Sequence, residues 1–176
     1  NRDDTGAPKD ALFGGTRRAR VSSQCQKRAV RDHLRLQNND WVSRRTKRII
    51  DLLNKRIAPK MEGHKTYSEE SLMKAIEIAV SSLGSQKKVK IDRDRKTDVL
   101  LFLSNQEVDS LESVILENYS SLAKPNISEK LIKKLNNSIN GEAKKGMSLD
   151  VALFGRMLAV MPEKNQNAAC QVAHAI

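Results

Sequence analysis

The chain has 176 residues, 39% hydrophobic and 30% charged, with 32 Lys/Arg against 21 Asp/Glu and a formal net charge of +11. No apolar run approaches the ~20 residues that cross a bilayer, and the six aromatic residues are too few for a surface that stacks bases. The charge excess is local: residues 1–60 hold 16 Lys/Arg and 6 Asp/Glu, whereas the rest hold 16 and 15. Such a segment points to a polyanion held by its phosphate–sugar backbone.

Residues 1–20 read as loop and irregular extended chain, because Gly6, Pro8 and Gly14-Gly15 punctuate them. Arg17, Arg18 and Arg20 alternate in direction along an extended run, so they cannot all face one ligand. Ser22 or Ser23 can cap a helix that runs to about Leu36. Ala29, Val30, His33 and Leu34 form its expected inner face, and Lys27, Arg31 and Arg35 recur every four residues on another. Lys27 and Arg31 then lie roughly 6 Å apart, close to the spacing of neighbouring phosphates. The amides expected to be free at the helix start would add an anion-binding end.

Asn38-Asn39-Asp40 breaks that helix. From Ser43 the sequence is helical, with an apolar stripe of Ile49, Ile50, Leu52, Leu53 and Ile57 that Pro59 ends. Ser68 caps a third helix with Glu69 and Glu70 in its first turn, Leu72, Ala75, Ile76, Ala79, Val80 and Leu83 inward, and Gly84 as terminator. Residues 85–96 are a charged, solvated loop; residues 99–103 are a short strand or lead straight into the next helix. That helix spans about 105–122 and buries Val108, Leu111, Val114, Ile115 and Leu116. Ser128 caps another with Leu131, Ile132, Leu135 and Ile139 inward, ended by Asn140-Gly141. Residues 147–154 alternate and read as a strand followed by a turn at 155–157; residues 168–176 are ambiguous between helix and strand.

Gly14-Gly15-Thr16 lacks the Gly-x-x-x-x-Gly-Lys-Ser/Thr pattern of a triphosphate loop, and no serine nucleophile elbow is present. His33, His64 and His174 have no metal-ligand spacing with each other or with Cys25 and Cys170, which read as two thiols in a reducing cytosol. Asp3 and Asp4 would pair with Arg17 or Arg18 to fix the loop, or bind a metal that cleaves a phosphodiester. The chain starts inside a motif without an initiator Met and reads as part of a longer polypeptide.

Four segments carry a resemblance: Asn1-Arg-Asp-Asp, Pro8-Lys9, Phe13-Gly-Gly-x-Arg-Arg-x-Arg20 and Ser22-Ser-Gln-x-x-Lys-Arg-Ala. They closely resemble the backbone subunit of the type I-E CRISPR surveillance complex, Cascade. Residues 152–157 (Ala-Leu-Phe-Gly-Arg-Met) and 172–176 (Val-Ala-His-Ala-Ile) resemble two further family segments in the same order.

The resemblance implies an α+β fold: a ferredoxin-like (RNA-recognition-motif) palm interrupted by a large, mostly helical fingers insertion. By position, residues 1–37 and 147–176 would be a partial palm and 38–146 the fingers. The first palm strand would precede Asn1, and the remaining strands and thumb would follow Ile176. The family's RNA contacts fall here on Arg2, Lys9, Ser22, Gln24, Lys27 and Arg31, with Met157 near the bases. The implied partners are CRISPR RNA, further copies of the chain stacked along the spacer, other Cascade subunits, and target DNA through the RNA. No catalysis, cofactor, metal or membrane is expected, and the expected compartment is the cytoplasm. A type III-like alternative is metal-dependent cleavage of target RNA by Asp3, Asp4 or Asp10.

Overall fold

The computed structural model describes residues 1–63, 67–85, 87–124, 127–139 and 147–176. Its architecture is α+β, with helices and two small antiparallel sheets. Two successive glycines shape the beginning of the chain. Gly14 and Gly15 have φ of 62° and 75°, the left-handed values that a two-residue hairpin turn needs and that glycine adopts without a Cβ clash. The expected irregular stretch therefore contains a hairpin, β1 (Asp10–Phe13) against β2 (Thr16–Ala19), with Phe13 opposite Thr16.

Helix α1 (Ser23–Gln37) is capped by Ser22, whose Oγ accepts from the Cys25 amide at 3.3 Å. Its inner face is not the expected one. None of its residues is buried; of the four expected inward, Leu34 is half-buried but Ala29, Val30 and His33 are exposed, and Lys27 and Arg31 are half-buried in their place. The cause is electrostatic: the element that α1 meets presents a buried carboxylate, which favours a cation over an apolar side chain.

The stretch after Ser43 first makes a strand, β3 (Arg44–Thr46), because it has a partner in β4 (Leu101–Leu103), whose three residues are all buried. Residues 99–103 thus include a strand. Helix α2 (Ile49–Met61) runs two residues past Pro59, its last turn held by Met61, which is buried in the core. Helix α3 (Glu69–Ser81) starts at Ser68 with a capping box and buries the expected face. Gly84 lies three residues beyond its end.

The single helix expected over 105–122 is broken at Asn118 into α4 (Asn105–Glu117) and α5 (Tyr119–Leu122). The Asn118 amide group donates to the Val114 carbonyl at 2.8 Å, the local side-chain bond by which asparagine competes with helix propagation. Helix α6 (Glu129–Ser138) has Leu131, Leu135 and Ile139 inward as expected; the Asn140-Gly141 terminator lies outside the described residues, as does His64. Residues expected as a strand at 147–154 form helix α7 (Leu149–Phe154) instead. Asp150 and Val151, neighbours in sequence, are both buried, which a period-2 pattern does not allow. Residues 168–176 form neither helix nor strand, apart from a backbone bridge between Ala175 and Val21.

One buried cluster joins α2 to α6 and β4, with Leu53, Ile76, Leu101, Leu111 and Leu135 fully enclosed. Each such side chain contributes about 1.5–3 kcal/mol relative to exposure. Val151, Leu158, Val160 and Met161 belong to the same cluster, so the chain after α7 closes onto the helical block. A buried ion pair fastens it there. The Arg156 guanidinium Nη1 donates to both oxygens of Glu107 at 2.8 and 2.7 Å, and the two side chains are each 3% exposed. Glu107 Oε2 also accepts from the Ser104 amide at 2.8 Å, completing the capping box of α4. Arg156 reaches the Phe102 and Lys164 carbonyls as well. Glu107→Ala strands the Arg156 charge and removes half the capping box. We expect a loss of about 3–5 kcal/mol in unfolding free energy, measured by urea denaturation.

Candidate nucleic-acid interface

The start of α1 is more fully engaged than the sequence suggests. The Ser22 amide donates to Asn1 Oδ1 at 3.0 Å, the Ser23 amide to His174 Nδ1 at 3.1 Å, and the Cys25 amide to Ser22 Oγ. The helix end expected to offer free amides to an anion is thus largely occupied by side chains. Ser22 is buried and Gln24 is exposed beside it. Asn1 also accepts from the Lys9 amide, and Lys9 accepts from the Arg20 amide, so the N-terminal loop is hooked onto the start of α1. Arg2 is exposed and donates to the Gly6 carbonyl at 2.6 Å; Lys9 is half-buried.

Asp3 holds this loop together. Its Oδ1 accepts from the Thr5 hydroxyl at 2.7 Å and from the Thr5 and Ala7 amides at 2.9 Å. The Thr5 hydroxyl first, then the Ala7 amide, hold its carboxyl below the ordinary 3.8. It therefore stays charged at neutral pH and releases these donors only as pH falls through that lowered value. Asp10 pairs with Arg17 at 2.7 Å, so Arg17 does not pair with Asp3 or Asp4. Among the described residues no group of three or more His, Cys, Asp or Glu is disposed to hold a metal ion. Cys25 and Cys170 are both free thiols, and no described helix is long and apolar enough to cross a membrane.

The second half of α1 meets α7 and the β3–β4 sheet. Asp150, wholly buried, accepts through Oδ1 from the Ser43 amide at 2.9 Å and the Ser148 hydroxyl at 2.6 Å. Its Oδ2 accepts from Arg31 Nε at 3.2 Å. The Arg31 guanidinium lies 4.9 Å from the Phe154 ring centre and 5.8 Å from that of Phe102. Lys27 Nζ lies 5.7 Å from the Phe154 ring, and the Arg45 guanidinium 5.5 Å from that of Phe102. Cations and rings thus alternate in the order Lys27, Phe154, Arg31, Phe102, Arg45, each contact within cation–π range.

These side chains border a groove of about 720 Å³ whose walls include Arg31, Arg45, Phe102, Phe154, Met157 and Gln166. Met157 is 77% exposed on its rim. Gly155, at φ 75°, lets the backbone of 166–168 close against the end of α7, since a Cβ there would stand 2.8 Å from the Gln166 carbonyl. The groove therefore brings Arg31 and Met157 together with Lys27 adjoining. Arg2, Lys9, Ser22 and Gln24 lie instead in the N-terminal loop and at the start of α1. Sequence reading did not single out Arg45, Phe102, Phe154 or Asp150. Nothing in the sequence marks Arg45 as facing a groove or Asp150 as buried.

The fold and groove define an α+β protein with a row of cations along one wall. The chain belongs to the CT1975-like protein family, which matches it over residues 1–176. It is similar to a chain in a solved structure described as "CRISPR RNA-guided surveillance complex", with TM-score 0.75 and 30% identity over 99% of this chain and 53% of that one. A second, "CRISPR RNA-guided surveillance complex, pre-nicking", gives TM-score 0.76 and 30% identity over 99% and 47%. The chain spans about half the length of these relatives. No curated protein matches it. The kinship with Cascade-type CRISPR proteins that the N-terminal motifs suggested holds.

Asp150→Ala removes an acceptor from three donors and leaves Arg31 unpaired. We expect it to lower stability by about 3 kcal/mol or more. Lys27→Ala, with no carboxylate to strand, should cost no more than about 1 kcal/mol. Urea midpoints of the two variants measure the contrast.

Proposed function

We propose that this chain is the CRISPR RNA-binding part of a non-catalytic subunit that oligomerises along the spacer of a Cascade-type defence complex. In this reading it holds the RNA by its backbone and leaves the bases to pair with target DNA. Other Cascade subunits are its further partners, and it acts in the cytoplasm. Residues 1–37 and 147–176 act as part of a ferredoxin-like palm and 38–146 as fingers, the two sharing one buried cluster.

One observation carries the proposal. Lys27 and Arg31 stand side by side against Phe154, and the carboxylate that orients Arg31 is wholly buried rather than at the surface. Asp150 offsets the charge of Arg31, whereas Lys27 has no carboxylate within ion-pair distance among the described residues, so its charge is open to a polyanion. A subunit that accepts any spacer cannot read sequence, so shape and phosphate contacts suffice while base pairing supplies specificity. Asp3 is committed to its own loop and Asp10 to Arg17, so two of the three carboxylates that metal-dependent RNA cleavage would draw on are already engaged.

The test is binding of the full-length protein to two unrelated single-stranded RNAs, titrated against salt. Equal affinities with a steep slope are expected. Lys27→Glu should weaken both RNAs alike and reduce the salt slope by about 0.7 per lost phosphate contact. Strong preference for one RNA, or a flat slope, overturns the backbone grip. Arg31 is a poorer target for this test, because changing it strands Asp150.

A further inference from the structure

We propose that Arg45 on β3 is a further contact for the nucleic-acid backbone, continuing the row of Lys27 and Arg31 onto the β3–β4 sheet. This rests on the RNA-binding reading given above and extends it to a residue outside the α1 motif.

Strand register sets its direction. Arg45 pairs with Phe102 across β3 and β4, and the alternation of the strand sends Arg44 and Thr46 the other way. Its guanidinium lies over the Phe102 ring on the groove wall, with Arg31 against the same ring. Arg45 is exposed and has no carboxylate within ion-pair distance among the described residues. Its neighbours differ: Arg44 donates to Asn105 Oδ1 at 3.0 Å and Arg48 pairs with Asp51 at 3.1 Å. Arg45 is thus an uncompensated cation in a segment where the arginines beside it are engaged. It also borders a second groove of about 370 Å³ that Arg35 and Arg44 line, so it stands where the two grooves adjoin.

The rings decide which part of a nucleic acid this row can hold. Phe102 is 7% exposed and is approached by two cations, and Phe154 is likewise approached by Lys27 and Arg31. Phe102, buried beneath two cations, offers no open face on which a base could stack, and the half-buried Phe154 already carries two cations. The rings serve as fixed supports that limit the side-chain freedom of the cations. A guanidinium held this way keeps its N–H edge for an anion, and its planar fork matches phosphate. The ligand is therefore a phosphate backbone and not a base.

The experiment compares wild type, Arg45→Gln, Arg45→Lys and Lys27→Ala full-length proteins on two unrelated single-stranded RNAs across a salt series. Arg45→Gln should weaken both RNAs alike and reduce the slope of log Kobs against log salt by about 0.7. Arg45→Lys should keep the slope while losing part of the affinity, because the charge remains and the fork does not. If Lys27→Ala weakens binding and Arg45→Gln does not, the Arg45 proposal is wrong and the RNA reading survives. If neither variant changes affinity or slope, the RNA reading fails and takes this proposal with it. A loss confined to one RNA makes Arg45 a base reader and also overturns the proposal. Thermal melts of all four proteins confirm that the substitutions leave the fold intact.

Discussion

A carboxylate with no access to water organises the cationic wall of this protein. Asp150 cannot remain charged in the interior without donors around it, and it draws them from three separate segments. Ser43 comes from the chain entering β3, Ser148 from the start of α7, and Arg31 from α1. Meeting this one requirement places α1, α7 and the β3–β4 sheet in mutual contact. It also explains an otherwise odd feature of α1, a helix with no buried residue that turns basic side chains toward its neighbour. Arg31 is held by Asp150 through Nε and lies within cation–π range of two rings, which restricts its position before any ligand arrives.

The second buried pair has a different task. Glu107 and Arg156 join the start of α4 to the chain after α7, and Arg156 also reaches the carbonyl of Phe102. The backbone of the residue whose ring supports two cations is thereby tied to the helical core. Apolar packing makes the block stable, while the two buried ion pairs fix where its edge lies relative to α1. The groove exists at the junction of these constraints.

Much of the helical block was legible because its signals are local. Ser68 and Ser128 cap the helices they were expected to cap, and the 3.6-residue stripes of α3, α4 and α6 face the core. The failures share a cause: they depend on partners distant in sequence. β3 forms because residues 101–103 lie beside it, and 147–154 becomes a helix around a buried aspartate, two of whose three donors are 107 and 119 residues away. Hydrophobicity alone turns Ala29 and Val30 of α1 inward, whereas the Arg31–Asp150 salt bridge sets which face meets its neighbour. Of the site, the basic repeat of α1 was readable from spacing. Its supports were not, since Phe102 and Phe154 look like ordinary core residues until the cations beside them are seen.

The backbone bridge between Val21 and Ala175 has a consequence for variation in length. Each residue donates to the other's carbonyl, at 2.8 and 3.0 Å, so everything between them is an excursion that returns to its origin. The entropy of closing such a loop grows only logarithmically, about 0.6 kcal/mol for each doubling of its length. A surface turn within the excursion could therefore be lengthened or trimmed at little energetic penalty while the clasp stays shut. Such a layout leaves the helical block able to diversify its outer surface over evolutionary time without shifting the first turn of α1.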